Sequence, residues 1–260
     1  MNKKVLILGC SLTQGSYAHN EQSYTKEAIV SSYGWYDSLK CLKDLEIDVF
    51  AFGGGGYTTF AETLADLDCS GKLKDYSMLI IQETNEPRFI LRKQDFSWLE
   101  DSYRVKSKDI KERELSIRHR TAFSLPPQSV FSMSPTSFDA ICERHYGITS
   151  LPTNFRLDIL ESSTYKNLVK FSLAYINQTI EQYNLKCFVF SLFEPSANSK
   201  NLSNATRLDL PLNLYYEIKN DSLKNLSSEN ELSGSYLRHF SNLGHKKLGE
   251  IINDSLKKTI

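Results

Sequence analysis

No apolar run in this 260-residue chain approaches the roughly 18 residues that a membrane-spanning helix needs. Charge of one sign is not in excess either. Lys plus Arg total 31 and Asp plus Glu total 31, so no global field draws the chain to nucleic acid or to an anionic membrane. Five cysteines are present without a single C-x-x-C pair, which argues against a zinc or dithiol motif. They read instead as free thiols in a reducing compartment. The amino terminus also lacks an export signal: Lys3 and Lys4 are followed only by Val5-Leu-Ile-Leu8, short of the about 7–15 apolar residues of a signal peptide. The expectation is a soluble, cytoplasmic protein starting at Met1, with neither a nucleic-acid partner nor a membrane span.

What the chain does have is a 40% hydrophobic, 12% aromatic composition, enough to bury a sizeable core as one α/β domain over residues 1–260. Short apolar runs at Val5–Leu8, Ile47–Phe52, Met78–Ile81 and Cys187–Leu192 read as buried strands. Stretches with helical spacing separate them. Trp35, Leu39 and Leu42 share one face over Tyr33–Lys43. Thr58–Asp68 follows a glycine turn, Val169–Asn184 aligns Leu173, Ile176 and Ile180, and Asn242–Lys258 carries Leu248, Ile251, Ile252 and Leu256. Strands alternating with helices predict a parallel sheet covered on both faces, a three-layer α/β/α sandwich. The alternation fails between Pro87 and Ser163. A structureless loop of that length is uncommon in a compact domain, so 87–163 is expected to be an insertion after the third strand with short helices of its own, acting as a lid.

Four segments carry the residues with chemistry. Ile7-Leu-Gly-Cys-Ser-Leu-Thr-Gln-Gly15 places Ser11 between a strand and a helix, where a sharp turn exposes a hydroxyl. Ser11 as a mere helix cap is the competing reading of this segment taken alone. Ala51-Phe-Gly-Gly-Gly-Gly-Tyr-Thr-Thr59 puts four glycines after the second strand, where no Cβ obstructs an approaching oxygen. Neither G-x-G-x-x-G spacing nor a following Gly-Lys-Ser/Thr supports a phosphate cradle there. Ile81-Gln-Glu-Thr-Asn-Glu-Pro87 delivers Asn85 to the carboxyl edge of the sheet, the edge at which open α/β sheets bind ligands. His239-Phe-Ser-Asn-Leu-Gly-His245 precedes the last helix.

Together these segments resemble the four blocks of the SGNH, or GDSL-type, hydrolase superfamily in a GCS variant, over most of the chain apart from the insertion. "GCSLTQG" is similar to the first block with Cys10 in place of aspartate, which makes Ser11 the matching nucleophile. "GGGGYTT" resembles the second block and selects Gly53 as an oxyanion-hole amide. "ETNE" resembles the third, G-x-N-D, with Glu83 for glycine and Asn85 as a side-chain oxyanion donor. "HFSNLGH" is similar to the last, H-P-x-x-x-G-H, and assigns His239 as the base.

The choice between the two histidines also has a helical argument. At about 100° per residue His245 falls within about 60° of Leu248 and about 20° of Ile252, on the apolar face of the last helix. That suits a core or supporting histidine. The resemblance implies an aspartate two or three residues before the base, where this chain has Leu237 and Tyr236. Without it, His239 is oriented by a backbone carbonyl or a remote acid such as Glu231, or the enzyme is weakened. Cys10 is expected to be buried and inert. What the resemblance implies is a serine esterase that removes an acyl group, O-acetyl in the first instance, from a carbohydrate or small metabolite. Its oxyanion hole comprises the Ser11 and Gly53 amides and Asn85, and no metal or other cofactor takes part. An acyltransferase to a glycan hydroxyl and a weakened glycan-binding protein are the alternatives, and the oligomeric state is left open.

Overall fold

The computed structural model describes residues 3–14, 34–52, 56–83, 89–92, 120–122, 130–133, 163–193, 200–211, 213–218, 240 and 242–260. Its centre is a six-stranded sheet in which every adjacent pair is parallel. The strands are β1 (Lys4–Cys10), β2 (Glu46–Phe52), β3 (Tyr76–Glu83), β5 (Arg120–Ala122), β7 (Lys186–Ser191) and β8 (Ala205–Arg207), in the order β5-β2-β1-β3-β7-β8. A separate antiparallel pair is formed by β4 (Phe89–Arg92) and β6 (Val130–Met133). With β5 set aside, the serial order is 2-1-3-4-5, that of the flavodoxin-like doubly wound sheet.

Alternation along each strand sends side chains to two cores, one per face. Val5 and Ile7 of β1 join Trp35, Leu39 and Leu42 and, from the final helix α4 (Asn242–Thr259), Leu248, Ile252 and Leu256. Leu6 and Leu8 face the other way. They meet Phe60, Leu64 and Leu67 of α2 (Tyr57–Cys69) and Val169, Leu173, Ile176 and Ile180 of α3 (Ser163–Gln182). The result is the expected α/β/α sandwich. Both α2 and α3 end by the same device, a residue with positive φ (Gly71 at 67°, Asn184 at 50°) followed by a six-to-one hydrogen bond, Lys72 N–H to Leu67 C=O and Leu185 N–H to Ile180 C=O. This left-handed cap satisfies terminal carbonyls and turns the chain back toward the sheet.

One expectation is corrected. Tyr33–Lys43 has helical spacing, but its described residues form two 3-10 turns, Trp35–Ser38 and Lys40–Leu42, interrupted at Leu39. The reason is α4, whose backbone comes so close at Gly249 that a Cβ there would lie 2.0 Å from the Trp35 carbonyl oxygen. The Asn253 side chain then accepts the Cys41 N–H at 2.9 Å. Helix-like side-chain facing survives while a continuous helical ladder does not. Within 87–163 the described residues include β4, β6 and β5, which extends the main sheet beside β2, and the stretches on which short helices are expected lie outside the described residues. None of the described helices is long and apolar enough to cross a membrane.

Candidate active site

Because the sheet is parallel, its strands all end at one edge. Cys10 pairs with Phe52 in register, so the chain leaves β1 and β2 side by side, into Ser11 and Gly53 respectively. The β1–β3 pairing ends at Leu8 and Ile81. Beyond that point a side chain takes over from the ladder. The Gln82 amide oxygen accepts the Cys10 backbone N–H at 3.2 Å, the Cys10 thiol at 3.1 Å and the Thr13 hydroxyl at 3.0 Å, while its NH2 donates to the Glu83 carbonyl at 2.9 Å. The Thr13 oxygen in turn accepts the Trp35 indole N–H at 3.2 Å. Cys10, Thr13, Trp35 and Gln82 are all buried, so each polar group depends on such partners.

This network holds the turn on which Ser11 opens the short helix α1 (Ser11–Gln14). The local sequence is built for it. A Cβ on Gly9 would lie 2.3 Å from the Thr13 hydroxyl oxygen, so glycine two residues before Ser11 is what lets Thr13 fold back over the strand. Cys10 is 2% exposed, in keeping with the expectation of a buried thiol.

Glu83, the next residue, points to the opposite face. It is fully buried and receives the Tyr57 hydroxyl at 2.6 Å and the Arg207 guanidinium at 3.0 Å. Tyr57 is the first residue of α2 and Arg207 the last of β8.

The final helix runs antiparallel to the strands. Just past its end, the main-chain oxygen of Ile260 accepts the ammonium of Lys186 at the start of β7 at 3.4 Å. Its first turn therefore lies toward the edge where β1 ends. Phe240, just ahead of it, is buried against Tyr215 and edge-on to His245, with ring centroids 5.5 and 5.6 Å away. His245 is fully buried on the face that carries Leu248 and Ile252, where the helical argument put it. Gly53, Asn85, Glu231 and His239 lie outside the described residues.

Among the described residues, two groups with displaced pKa values, Tyr76 and Cys187, sit away from this edge. Burial, with the Asp48 carboxylate accepting its hydroxyl at 2.7 Å, pushes the Tyr76 phenol up at the start of β3. Burial alone pushes up the Cys187 thiol. Sequence reasoning passed over Thr13, Tyr57, Gln82 and Arg207, and took Glu83 only as a replacement for the third block's glycine. One signal was present: Gln82 and Glu83 directly follow an apolar strand run, where polar side chains need specific partners. Nothing in the sequence around Arg207 marks it.

No family model matches the chain, and no curated protein matches it. Among solved structures, the chain is similar to the lipase Lip_vut3 from a goat rumen metagenome, at 12% identity over 97% of each chain with a TM-score of 0.33. A likeness that loose says nothing about activity, and what stands is an α/β fold with a parallel sheet.

Proposed function

We propose that the chain is a serine esterase of the SGNH type acting on an acyl ester, O-acetyl first, of a carbohydrate or small metabolite. The observation that carries this reading is the strand order. The serial order reverses at β1, between β2 on one side and β3 on the other, and ligands of open α/β sheets bind outside the carboxyl ends at such a switch point. The segments bearing Ser11, Gly53 and Asn85 leave from those three strands. In the proposed reaction Ser11 Oγ attacks the acyl carbon as His239 takes its proton. The Ser11 and Gly53 amides and the Asn85 side chain receive the oxyanion, and the alcohol leaves with the proton from His239. Water then attacks the acyl-enzyme by the same route in reverse. The insertion at 87–163 is the proposed lid over this edge.

Leu237 and Tyr236 stand where an aspartate would orient His239, and this favours a second reading, a glycan-binding protein with weakened chemistry. A transferase passing the acyl group to a glycan hydroxyl would use the same residues. The deciding experiment is labelling with a fluorophosphonate followed by mass mapping. The esterase and transferase readings expect the adduct on Ser11, lost in Ser11→Ala, and only the esterase releases free acid faster than it acylates an added sugar. A fully folded protein that takes up no probe leaves the binding reading.

A further inference from the structure

The first turn of α2 holds two buried hydroxyls that nothing satisfies. Thr58 and Thr59 are 3% and 4% exposed, and neither Oγ1 has a hydrogen-bond partner among the described residues. A buried hydroxyl in that state has given up water without replacement, which native proteins seldom tolerate. Thr63, one turn further on, shows the usual recourse of a helical threonine. Its hydroxyl donates to the Thr59 carbonyl at 2.9 Å. For Thr58 and Thr59 the carbonyl four residues back belongs to Gly54 and Gly55, ahead of the helix.

The setting suits an anion. Gly56 caps α2 without a side chain, and no acidic residue stands in the first turn. The helical ladder begins with Phe60 N–H to Gly56 C=O at 2.9 Å, so the Thr58 and Thr59 amides precede it and have no acceptor within it. Cα–Cβ bonds of a helix tilt toward its amino end. Both threonine side chains therefore lean to the end that presents those amides, about 100° apart around the axis. Two hydroxyls, two amides and the positive end of a 13-residue helix together match an oxyanion. The Glu83 carboxylate, which accepts the Tyr57 hydroxyl at 2.6 Å, is matched by the Arg207 guanidinium at 3.0 Å and so does not face a bound anion as an unpaired charge. That contact also puts this helix end at the carboxyl edge of the sheet, since Glu83 is the last residue of β3.

We propose that the amino end of α2, through Thr58 and Thr59, binds a single oxyanion, a carboxylate or phosphate group of the substrate. The ester is then one carried by an acidic or phosphorylated sugar or metabolite. That substrate assignment rests on the esterase reading, whereas the anion site rests on α2 alone. It is not a cradle for a nucleotide's phosphate chain, for which the glycine run lacks the spacing.

The test compares the unaltered protein with Thr58→Val, Thr59→Val, the double valine variant and the hydroxyl-retaining Thr58→Ser. Each is melted in inorganic phosphate, in acetate and in chloride at equal ionic strength, and phosphate and acetate binding is measured by calorimetry. A ligand that binds only the folded state raises the melting temperature. The expected result is such a rise in the unaltered protein and in Thr58→Ser, with anion affinity about tenfold or more weaker in the double valine variant. In chloride that variant is expected to melt no lower than the unaltered protein, because a methyl replaces a hydroxyl that had no partner. A response to phosphate alone assigns a phosphorylated substrate, and a response to acetate alone assigns a carboxylate. Absence of any response means that water fills the helix end, and an equal response in the double valine variant places the anion elsewhere; either overturns the proposal. Fluorophosphonate labelling of the same samples separates the two readings. Ser11 labelled without an anion response removes the site and leaves the esterase, and an anion response that needs the threonines without labelling does the reverse.

Discussion

The Gln82 amide oxygen and the Cys10 backbone N–H meet at 3.2 Å just where the β1–β3 register stops. A side chain thereby finishes what the ladder cannot, and the turn into α1 inherits its rigidity from β3. Gln82→Leu keeps approximate size but withdraws the acceptor shared by three donors. The expected loss is about 1–3 kcal/mol, the scale for depriving a buried polar group of its partner. Urea unfolding measures it, and an unchanged midpoint would remove Gln82 from this role.

Asn85→Ala is expected to lower kcat by about 10²–10³, the loss associated with one oxyanion donor. Cys10→Ala should keep most of the activity, because the thiol is buried behind the turn. A change in KM alone for Asn85→Ala places it in substrate binding, and a dead but normally melting Cys10→Ala makes the thiol the nucleophile.

Two glycines that differ in surroundings give a paired prediction. Gly249→Ala drives a Cβ to 2.0 Å from the Trp35 carbonyl oxygen, backbone that cannot swing aside, so α4 must shift outward at a cost of about 1–3 kcal/mol. Gly71 has nothing within 4 Å of a Cβ but a φ of 67°, and Gly71→Ala is expected to lose about 1 kcal/mol through backbone conformation alone. Differential melting of the two variants checks the order, which reverses if α4 packs more loosely than described.

Stability should fall on the alkaline side. The folded-state pKa of the Cys187 thiol is raised by burial, while an unfolded cysteine titrates near about 8.5. The folded chain then keeps a proton that the unfolded chain has lost, so the contribution is complete below about pH 8.5 and declines above it. The Tyr76 phenol, raised by burial and by its hydrogen bond to Asp48, adds a further decline above about pH 10. Lys4, raised chiefly by its hydrogen bond to Glu46, acts with the same sign. Urea midpoints from pH 7 to 11 should fall along this course, with Cys187→Ala flattening the lower part and Tyr76→Phe the upper. A profile of unchanged shape in both variants rules out these two groups as its source.

Replacing 87–163 by a short Gly/Ser linker is expected to do more than alter substrate choice. It also deletes β5, which pairs with Ile47–Val49 of β2, leaving that strand as a bare edge prone to intermolecular pairing. Size-exclusion chromatography should show association of the deleted chain; a well-behaved monomer with intact melting would mean that β5 contributes little.

The sheet and its covering helices were legible because each buried strand is a short apolar run and each helix repeats its apolar residues every three or four positions. Val5–Leu8 and Met78–Ile81 grew by only a few residues, to Lys4–Cys10 and Tyr76–Glu83. What was not legible depends on partners remote in sequence. Tyr33–Lys43 shows which side chains face the core, but whether its backbone is α or 3-10 is decided by Gly249 and Asn253, more than 200 residues away. Ala205–Arg207 is a three-residue edge strand with no apolar run of its own, visible only beside β7. At the site, Ser11 stood out through its strand-to-helix context. The supports under it are ordinary-looking residues, Gln82 and Thr13, whose meaning comes from a meeting 69 positions apart.

Strand β5 also has a consequence for the protein's synthesis. A nascent chain has β1, β2 and β3 once residue 83 has emerged, but the free side of β2 waits for residues 120–122 and the free side of β3 for 186–191. From residue 83 to residue 120 the growing sheet therefore presents both flanks, and from there to residue 186 that of β3 alone, each a row of unpaired amides and carbonyls able to template another chain. Parallel pairing across such separations is also slow to form. The half-made chain, rather than the finished fold, is thus the most aggregation-prone species, and its yield should respond to translation speed and to holding chaperones more than to the thermal stability of the mature protein.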